Sequence, residues 1–473
     1  MEDADPPTLD IDRHLKYWKM CLRAPLPGAY LSNEGNRMAL AYFIINSISI
    51  LSPPGSQRPP LIPPEEKRKI REWILFHQHP GGGFSGTSSL VFPLHVYDEW
   101  DAEAGKPSLE HSGLANIAAT LFALQLLALL SDDDNAEDAF KGVDRPKLLR
   151  WLKRLQREDG SFGEVLRLLP GKGWFIAGGN DMRYCYVATA IRWMLRGDVK
   201  EGEPGWVEDF DTESLAEYIL NTQTYDGGFA GSSSDEPHAG YAYCAISALT
   251  LLDRPLENAP ADHPSPILHS HIRSMPGLLH WLASRQFIYL EPPPPEDPDD
   301  DDDEDYQVNF LLPTSLAALA LSQADDSQTY VGLNGRCNKC ADTCYYWWVG
   351  GALASLGREG LIAREPARRF LLGKMQHQIG GFAKNAGNPP DVYHACFGLA
   401  ILGVMGEEGL NRVDSALAVP VDTVRRIERA RGRLVEGDRG EGKAAQLVRD
   451  AVGMGLGSVE GRPGWLVGGE VGA

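Results

Sequence analysis

The sequence repeats one short motif four times: a glutamine is followed six residues later by a phenylalanine, with glycine in between. The copies are QHPGGGF (78–84), QREDGSF (156–162), QTYDGGF (223–229) and QHQIGGF (376–382). A constant internal spacing with variable separations between copies indicates one supersecondary unit that is reused, with insertions in its loops.

Two kinds of segment flank these motifs. The segment before each glutamine has helical periodicity; in residues 144–156, Pro146 lies in the first turn, where its missing N–H costs little. The apolar face of that segment consists of Leu148, Trp151, Leu152 and Leu155. The segments after the turns, such as 242–252, 345–357 and 393–406, are apolar on nearly all sides.

Helices that are apolar on all sides must be buried, and amphipathic helices can cover them. The sequence therefore predicts an inner ring of apolar helices inside an outer ring of amphipathic helices. No window shows convincing strand alternation. The predicted fold class is all-α, a closed double ring of helices.

The formal net charge of −20 argues against a nucleic-acid binder that works through a basic surface. Residues 291–305 hold ten acidic residues and no basic residue, so half of that charge lies in one run. We expect a flexible N-terminus at 1–12, a ring domain at 13–424 with a disordered acidic insertion at about 289–327, and a C-terminal tail at 425–473. The charged, glycine-rich tail is predicted to be a solvated appendage that holds at most one frayed helix.

Several features favour a soluble cytoplasmic protein with reduced thiols. Seven cysteines in 473 residues do not form a dense disulfide framework, and MEDADPPTLDID lacks the features of a signal peptide. The longest apolar stretch, 114–130, is short for a membrane span and is interrupted by polar residues, so we interpret it as a buried helix and expect no stable membrane insertion.

Polar residues inside the apolar segments cluster at their N-terminal ends. The pairs are Asp181 and Arg183, Glu236 and His238, Asp342 and Cys344, and Asp391 and His394. In an alternating ring all inner N-termini face one rim, and their N–H groups favour an anionic ligand. Further cations are Arg336 and Lys339, and nearby aromatic residues are Tyr186, Tyr241, Trp347 and Trp348. Each feature alone is as well explained by packing or a structural ion pair, but their repeated placement favours a cavity for an amphiphile with a phosphate head and a hydrocarbon tail.

The segment CNKCADTC also suggests a metal. Cys337, Cys340 and Cys344 form a structural zinc site if a remote histidine supplies the fourth ligand. The alternative is an open catalytic site of Asp342, Cys344 and His394. We prefer the open site because no nearby His-x3-His completes a closed one, although Cys337 or Cys340 remains possible as a ligand.

Four strings carry a resemblance to a known family: NGRCNKCADTCYYWWVGG (334–351), GGFAKNAGNPPDVYHACFG (380–398), DEPHAGYAYC (235–244) and NDMRYCYVA (180–188). Together they resemble the β subunits of protein prenyltransferases, most of all geranylgeranyltransferase type I, over most of residues 13–424. The resemblance implies an α/α toroid, one zinc ion and an α subunit encoded elsewhere, with which the chain forms a heterodimer.

The resemblance also implies roles for individual residues. The zinc ligands are Asp342, Cys344 and His394. The diphosphate-binding residues are His238, Arg336, Lys339 and Tyr345. The positions that line the isoprenoid cavity are Arg183, Tyr186, Tyr241, Cys244 and Trp348.

Three positions distinguish the branches of this family. Ala39 stands where farnesyl enzymes carry a bulky tryptophan, which leaves room for a fourth isoprene unit and implies a C20 tail. Phe397 stands where that branch usually has tyrosine. Lys384 stands where that branch has a magnesium-binding aspartate, so we expect its ammonium group to replace the metal's charge and magnesium not to be required.

The resemblance implies transfer of a geranylgeranyl group from its diphosphate to the cysteine of a C-terminal CaaX motif, with X mostly leucine, on Rho-type small GTPases. Asn116 and Tyr184 occupy the pocket for residue X where the family has histidine and phenylalanine, so these changes broaden the expected preference. Alternative hypotheses are the farnesyl- or Rab-directed branch, a polycyclic terpene cyclase, and a non-catalytic helical scaffold with a structural zinc.

Overall fold

The computed structural model of the protein describes residues 7–56, 58–91, 115–169, 173–257, 265–290 and 330–453, apart from the side chains of 168–169 and 441–453. The acidic run at 291–305 and nearly all of the expected insertion lie outside these ranges. The α-helices are α1 Ile11–Arg23, α2 Arg37–Ile50, α3 Pro64–Phe76, α4 Ile117–Leu129, α5 Arg145–Lys153, α6 Met182–Leu195, α7 Thr212–Asn221, α8 Ala239–Asp253, α9 Pro266–Ser270, α10 Met275–Ala283, α11 Thr343–Ser355, α12 Arg364–Phe370, α13 Val392–Met405 and α14 Val421–Gly453. Short 3-10 helices span Gly28–Asn36, Ser88–Leu90, Asp133–Asp138 and Glu359–Leu361, and a π-helical turn spans Leu371–Met375. None of the described helices is long and apolar enough to cross a membrane.

The inner helices form a closed ring. Helices α2, α4, α6, α8, α11 and α13 pack each against the next, and α13 packs against α2. The outer helices α1, α3, α5, α7 and α10 pack on α2, α4, α6, α8 and α11 in turn. The predicted all-α double ring is therefore confirmed.

Each repeated motif forms one tight turn. Its glutamine and phenylalanine make an antiparallel bridge, and the four phenylalanine rings, at 84, 162, 229 and 382, are completely buried. Glycine is required where the turn meets the next outer helix: Gly160 has φ +86°, and a Cβ there would lie 2.1 Å from the carbonyl oxygen of Ser214.

The glutamine side chains join neighbouring outer helices. Each Oε1 atom accepts the N–H of the residue that precedes the next outer helix, and each Nε2 donates to a carbonyl oxygen in the same loop. The Oε1 acceptors and N–H donors are Gln78 and Asp144, Gln156 and Asp211, Gln223 and Ser274, Gln286 and Ala363, and Gln376 and Asp10. The last contact, 3.0 Å long, joins the final repeat to α1 and closes the outer ring.

The N-terminal segment differs from the expectation of a flexible stretch at 1–12. The carbonyl oxygen of Thr8 accepts from Gln376 Nε2 at 3.0 Å, and α1 begins at Ile11. Within the described part of that stretch, residues 8–10 are thus held against the last repeat.

Two short antiparallel strand pairs are present that the sequence did not predict. Strands β1 Val165–Leu169 and β2 Gly173–Ala177 form a hairpin at the N-terminal side of α6, and β3 Gln286–Ile288 pairs with β4 Val331–Leu333. Strands this short carry too few residues for alternation to stand out from an apolar background. The Pro-Gly dipeptide at 170–171 is the available turn signal in the sequence.

The loop 414–419 closes the ring at the C-terminal ends of the inner helices. Its carbonyl oxygens accept hydrogen bonds from Tyr42, Asn46, Gln125 and Tyr243, on three inner helices. Asp414 at its start forms a buried ion pair with Arg254, with Nη2 and Oδ2 2.6 Å apart.

Helix α14 corrects the prediction that the chain from 425 onward is a solvated appendage. Ile427 and Ala430 are completely buried, and Arg431 donates to the carbonyl oxygen of Trp193 at 2.6 Å. Farther along, Asp438 pairs with the buried Arg145 at 2.7 Å. The charged composition of the tail concealed this packing because Arg431, like Arg145 of α5, donates to carbonyl oxygens at the C-terminal end of α6, which have no partner within the helix.

We predict that Gln376→Met lowers the free energy of unfolding by about 2 kcal/mol, because the N–H of Asp10 and the carbonyl oxygen of Thr8 lose their partner. Urea denaturation measures this difference. Lys19→Met, on the exposed side of α1, is the matched control and should change little. Equal stability of the two variants would show that the glutamine does not hold the ring closed.

Candidate metal centre and anion cavity

Polar residues cap the inner helices at one rim of the ring. Asn116, Asp181, His238, Asp342 and Asp391 are the N-caps of α4, α6, α8, α11 and α13, and each side chain accepts a backbone N–H of its own helix. Such caps satisfy N–H groups that have no partner within the helix. The same rim therefore collects the residues that the sequence predicted to be functional.

Asp342, Cys344 and His394 form a cluster of potential metal ligands. Their ligand atoms all lie within 4.8 Å of one another, and His394 Nε2 is 3.3 Å from Asp342 Oδ1. That separation fits two ligands of a tetrahedral ion with bonds of about 2.0 Å, and one oxygen, one sulfur and one nitrogen ligand suit zinc. Three protein ligands leave one position for a substrate.

The ring of His394 is oriented by a second carboxylate. Asp391 Oδ2 lies 2.5 Å from Nδ1, which leaves Nε2 to face Asp342. Burial lowers the pKa of His394, but the two carboxylates outweigh it and raise the pKa to about 9. A carboxylate behind a ligating histidine is the usual arrangement that fixes its tautomer and strengthens the metal bond.

Burial also affects the pKa values of the two candidate metal ligands at the start of α11, Asp342 and Cys344. Burial and the charge of Asp342 raise the pKa of the Cys344 thiol well above its usual range. Burial opposes ionisation of Asp342, but hydrogen bonds from His394 and Cys344 lower the pKa of its carboxyl group. A thiolate next to this carboxylate requires a cation, so the chemistry of the cluster fits a bound metal ion.

The other two cysteines of CNKCADTC lie apart from this cluster. Cys337 is exposed, with Sγ 3.3 Å from Arg285 Nη2, and Cys340 Sγ lies 3.6 Å from Asn385 Nδ2. Among the residues that the structure describes, the metal-ligand cluster includes neither of them.

A cavity of about 430 Å³ lies at the same rim. Six residues expected to bind substrate line it: Arg183, His238, Tyr241, Cys244, Arg336 and Trp348. Tyr393 lines it as well and is adjacent in sequence to the metal-ligand candidate His394. One cavity therefore combines cations at its mouth with aromatic side chains.

His238 presents a donor to this cavity. Its Nδ1 accepts the N–H of Gly240 at 3.0 Å, so the proton of the neutral ring is on Nε2, 3.3 Å from the hydroxyl of Tyr345. Burial, assisted by the nearby charge of Arg336, lowers the pKa of His238 to about 4. The ring is thus neutral at pH 7 and donates through Nε2–H.

The four cations that the sequence assigned to the site differ in their surroundings, and only Arg183 and Arg336 line the cavity. Arg183 is paired with Asp181 through two contacts of 2.9 and 2.7 Å, and Arg336 is paired with Glu236 at 2.8 Å. Lys339 and Lys384 are exposed. The carbonyl oxygen of Lys384 accepts the N–H of Thr343 at 3.0 Å, which places its backbone beside the start of α11.

Aromatic rings form the apolar wall. The ring centroid of Phe397 lies 4.8 Å from the ring centroids of both Trp348 and Tyr393. The ring centroid of Tyr243 lies 5.2 Å from that of Trp348 and 5.6 Å from that of Tyr186. Sequence reasoning missed Tyr243 and Tyr393, which stand in the quoted strings but are hidden among other apolar residues.

Ala39 and Trp347 border this wall. Ala39 is one turn before Phe43 on α2, and the Phe43 ring lies 5.9 Å from Phe397. Trp347 is completely buried and stacks on Phe397 at 5.8 Å, so it packs behind the wall.

Asn116 and Tyr184 share a partner that was not predicted. Asn116 Nδ2 donates to Glu164 Oε1 at 2.6 Å, and the hydroxyl of Tyr184 lies 3.3 Å from Glu164 Oε2. Glu164 precedes the unpredicted hairpin, so no repeat pattern pointed to it. The two departures from the family pattern are therefore coupled through one carboxylate.

Residues 9–419 match the family model of the prenyltransferase alpha-alpha toroid domain. The chain belongs to this family. It is 30% identical to the geranylgeranyl transferase type-1 subunit beta of Arabidopsis thaliana, over 87% of this chain and 88% of that protein. It is 24% identical to the protein farnesyltransferase subunit beta of Pyricularia oryzae, over 83% of this chain and 62% of that protein.

The fold also resembles a solved prenyltransferase. Candida albicans protein geranylgeranyltransferase-I complexed with GGPP matches with a TM-score of 0.65 and 24% identity, over 90% of this chain and 99% of that chain. The resemblance to prenyltransferase β subunits that the four strings carry is thus confirmed, whereas the roles of individual residues remain predictions.

We predict that Asp391→Asn weakens zinc binding by about 10- to 100-fold, because His394 loses its carboxylate partner. Asparagine still caps α13, so the helix should remain. Competition with a chromophoric chelator measures the affinity. Asp211→Asn, at the cap of outer helix α7, is the control, and equal zinc affinities in both variants would contradict the role of Asp391.

Proposed function

We propose that this chain is the catalytic β subunit of a zinc-dependent protein geranylgeranyltransferase type I. In a heterodimer with an α subunit, it transfers a C20 group from geranylgeranyl diphosphate to the cysteine of a C-terminal CaaX motif, with X mostly leucine. The acceptors are Rho-type small GTPases, and the enzyme is cytoplasmic. The observation that carries the proposal is the Asp342–Cys344–His394 cluster at the same rim as a cavity with cations and aromatic walls.

Similar proteins support the same branch of the family. A relative named geranylgeranyl transferase type-1 subunit beta aligns over most of the chain, and the similar solved enzyme from Candida albicans is a complex with GGPP. A farnesyltransferase β subunit aligns as well, so the farnesyl branch is the second candidate.

The candidate metal ligands would determine the protonation state of the acceptor thiol through the ion that they hold. A cysteine thiol with a pKa near about 8.5 is mostly protonated at neutral pH. Asp342, Cys344 and His394 would hold a zinc ion, which when bound would supply the positive charge that favours the thiolate form of this thiol. Asp391 holds the His394 ring in place, and Tyr393 and Trp348 keep the reacting carbon in an apolar environment.

The leaving diphosphate gains charge as the C–O bond breaks and the C–S bond forms. The donors that face it are His238 Nε2–H, Arg336, Lys339 and the hydroxyl of Tyr345. Lys384, next to the start of α11, adds a positive charge where the farnesyl branch has a magnesium-binding aspartate, so turnover should not require that ion. These groups act most strongly on the charge that develops in the transition state.

The pocket for the acceptor's last residue includes Asn116 and Tyr184. Both bind Glu164, so this pocket has a polar side that a strictly leucine-selective pocket would not need. We therefore propose that leucine is preferred but that other terminal residues are accepted.

We predict that Cys344→Ala in the co-expressed heterodimer abolishes transfer and removes zinc while leaving the helical circular dichroism signal intact. Cys337→Ala, whose side chain is exposed and outside the cluster, should retain both zinc and activity. Zinc content and prenylation of a CaaX peptide are the measurements. Transfer that persists in Cys344→Ala would refute the mechanism.

We predict that the enzyme prefers C20 over C15 diphosphate when the two compete, and that Ala39→Trp reverses this preference. Ala39 lies on the same face of α2 as Phe43, so an indole there would fill the space next to the aromatic wall. Mass spectrometry of the modified peptide measures the ratio. A preference of the unaltered enzyme for C15 would place the chain in the farnesyl branch.

A further inference from the structure

Arg336 is held by a carboxylate that has no evident structural task. Glu236 Oε2 lies 2.8 Å from Arg336 Nη1, and Glu236 lines the same cavity as His238. The two side chains are 38% and 53% exposed, so the pair is largely solvated. Arg183 differs, because its partner Asp181 also caps α6 and is only 13% exposed.

The guanidinium of an arginine binds carboxylate and phosphate oxygens with the same donor geometry. A ligand phosphate that bound Arg336 through the same edge of the guanidinium, whose Nη1 contacts Glu236, would therefore displace the Glu236 carboxylate. An exposed ion pair is weak and screened by salt, so it breaks readily. Glu236 and a bound diphosphate would then repel each other across the cavity.

We propose that Glu236 is a displaceable placeholder for the diphosphate: it orients Arg336 in the empty site, gives way when the substrate binds, and speeds the release of pyrophosphate after transfer. This inference rests on the proposed function and adds Glu236 to it as a positioning residue. Glu236 thus lowers the affinity of the site for the diphosphate and raises the rate at which pyrophosphate is released.

The test measures pyrophosphate binding to the zinc-loaded heterodimer by calorimetry and its dissociation rate by stopped flow. Glu236→Gln should bind pyrophosphate about three- to tenfold more tightly and release it correspondingly more slowly. Glu65→Gln, which removes an exposed carboxylate paired with Arg68 on α3, is the matched control and should change neither quantity.

A double-mutant cycle separates displacement from a general loss of negative charge. In an Arg336→Gln background, Glu236→Gln should tighten pyrophosphate binding clearly less than it does with Arg336 present, because it then removes only the charge repulsion and there is no arginine to release. No tightening in Glu236→Gln, or equal tightening in both backgrounds, would overturn the placeholder role alone. An unaltered heterodimer that binds no pyrophosphate would overturn the proposed function and this inference with it.

Discussion

The side-chain amide of a glutamine at the end of one outer helix binds both the N–H and a carbonyl oxygen in front of the next outer helix. This contact recurs at Gln78, Gln156, Gln223, Gln286 and Gln376. Between α1 and α3, Arg23 takes the corresponding place, donating to the carbonyl oxygen of Leu61 and pairing with Glu66. Because the side-chain amide both donates through Nε2 and accepts through Oε1, each glutamine sets the distance and the direction of the next outer helix. Because outer and inner helices alternate along the chain, every inner helix then runs antiparallel to the outer helices. The N-termini of the inner helices therefore all lie at one rim.

That constraint gives the two ends of the ring opposite chemistry. Helix N-termini and cationic side chains lie at the rim with the metal-ligand cluster, which suits an anionic ligand. At the other end, Arg145 and Arg431 cover carbonyl groups of α6, and the loop 414–419 fills the opening. A chain with an acidic overall charge thereby places Arg183 and Arg336 beside a cavity at one rim, and its net charge says little about its substrate.

The repeated turns, the two rings and the metal-ligand cluster could be predicted because each depends on local spacing or on quoted strings that resemble a family. The repeat pattern did not identify Gln286, because no phenylalanine follows it six residues later, although its side-chain amide makes the same contact as in the four copies. Glu164 was not identified because its partner Asn116 is 48 residues away in sequence, and only the closed ring brings the two together. Glu236 was identified beside His238, but its pairing with Arg336, 100 residues away, could not be predicted from the sequence. Helix α14 was misjudged because composition does not reveal that Arg431 has a carbonyl partner on α6, or that Arg426 and Arg429 have carbonyl partners at Ser131 and Asp133.

The proposed function depends above all on zinc bound by Asp342, Cys344 and His394, with one position open to the acceptor thiol. X-ray absorption at the zinc edge of the purified heterodimer measures this ligand set. We expect one sulfur ligand at about 2.3 Å in the free enzyme, and two when a CaaX peptide and a non-reactive diphosphate analogue are bound. Two or more sulfur ligands before the peptide is added, or an unchanged spectrum afterwards, would contradict it.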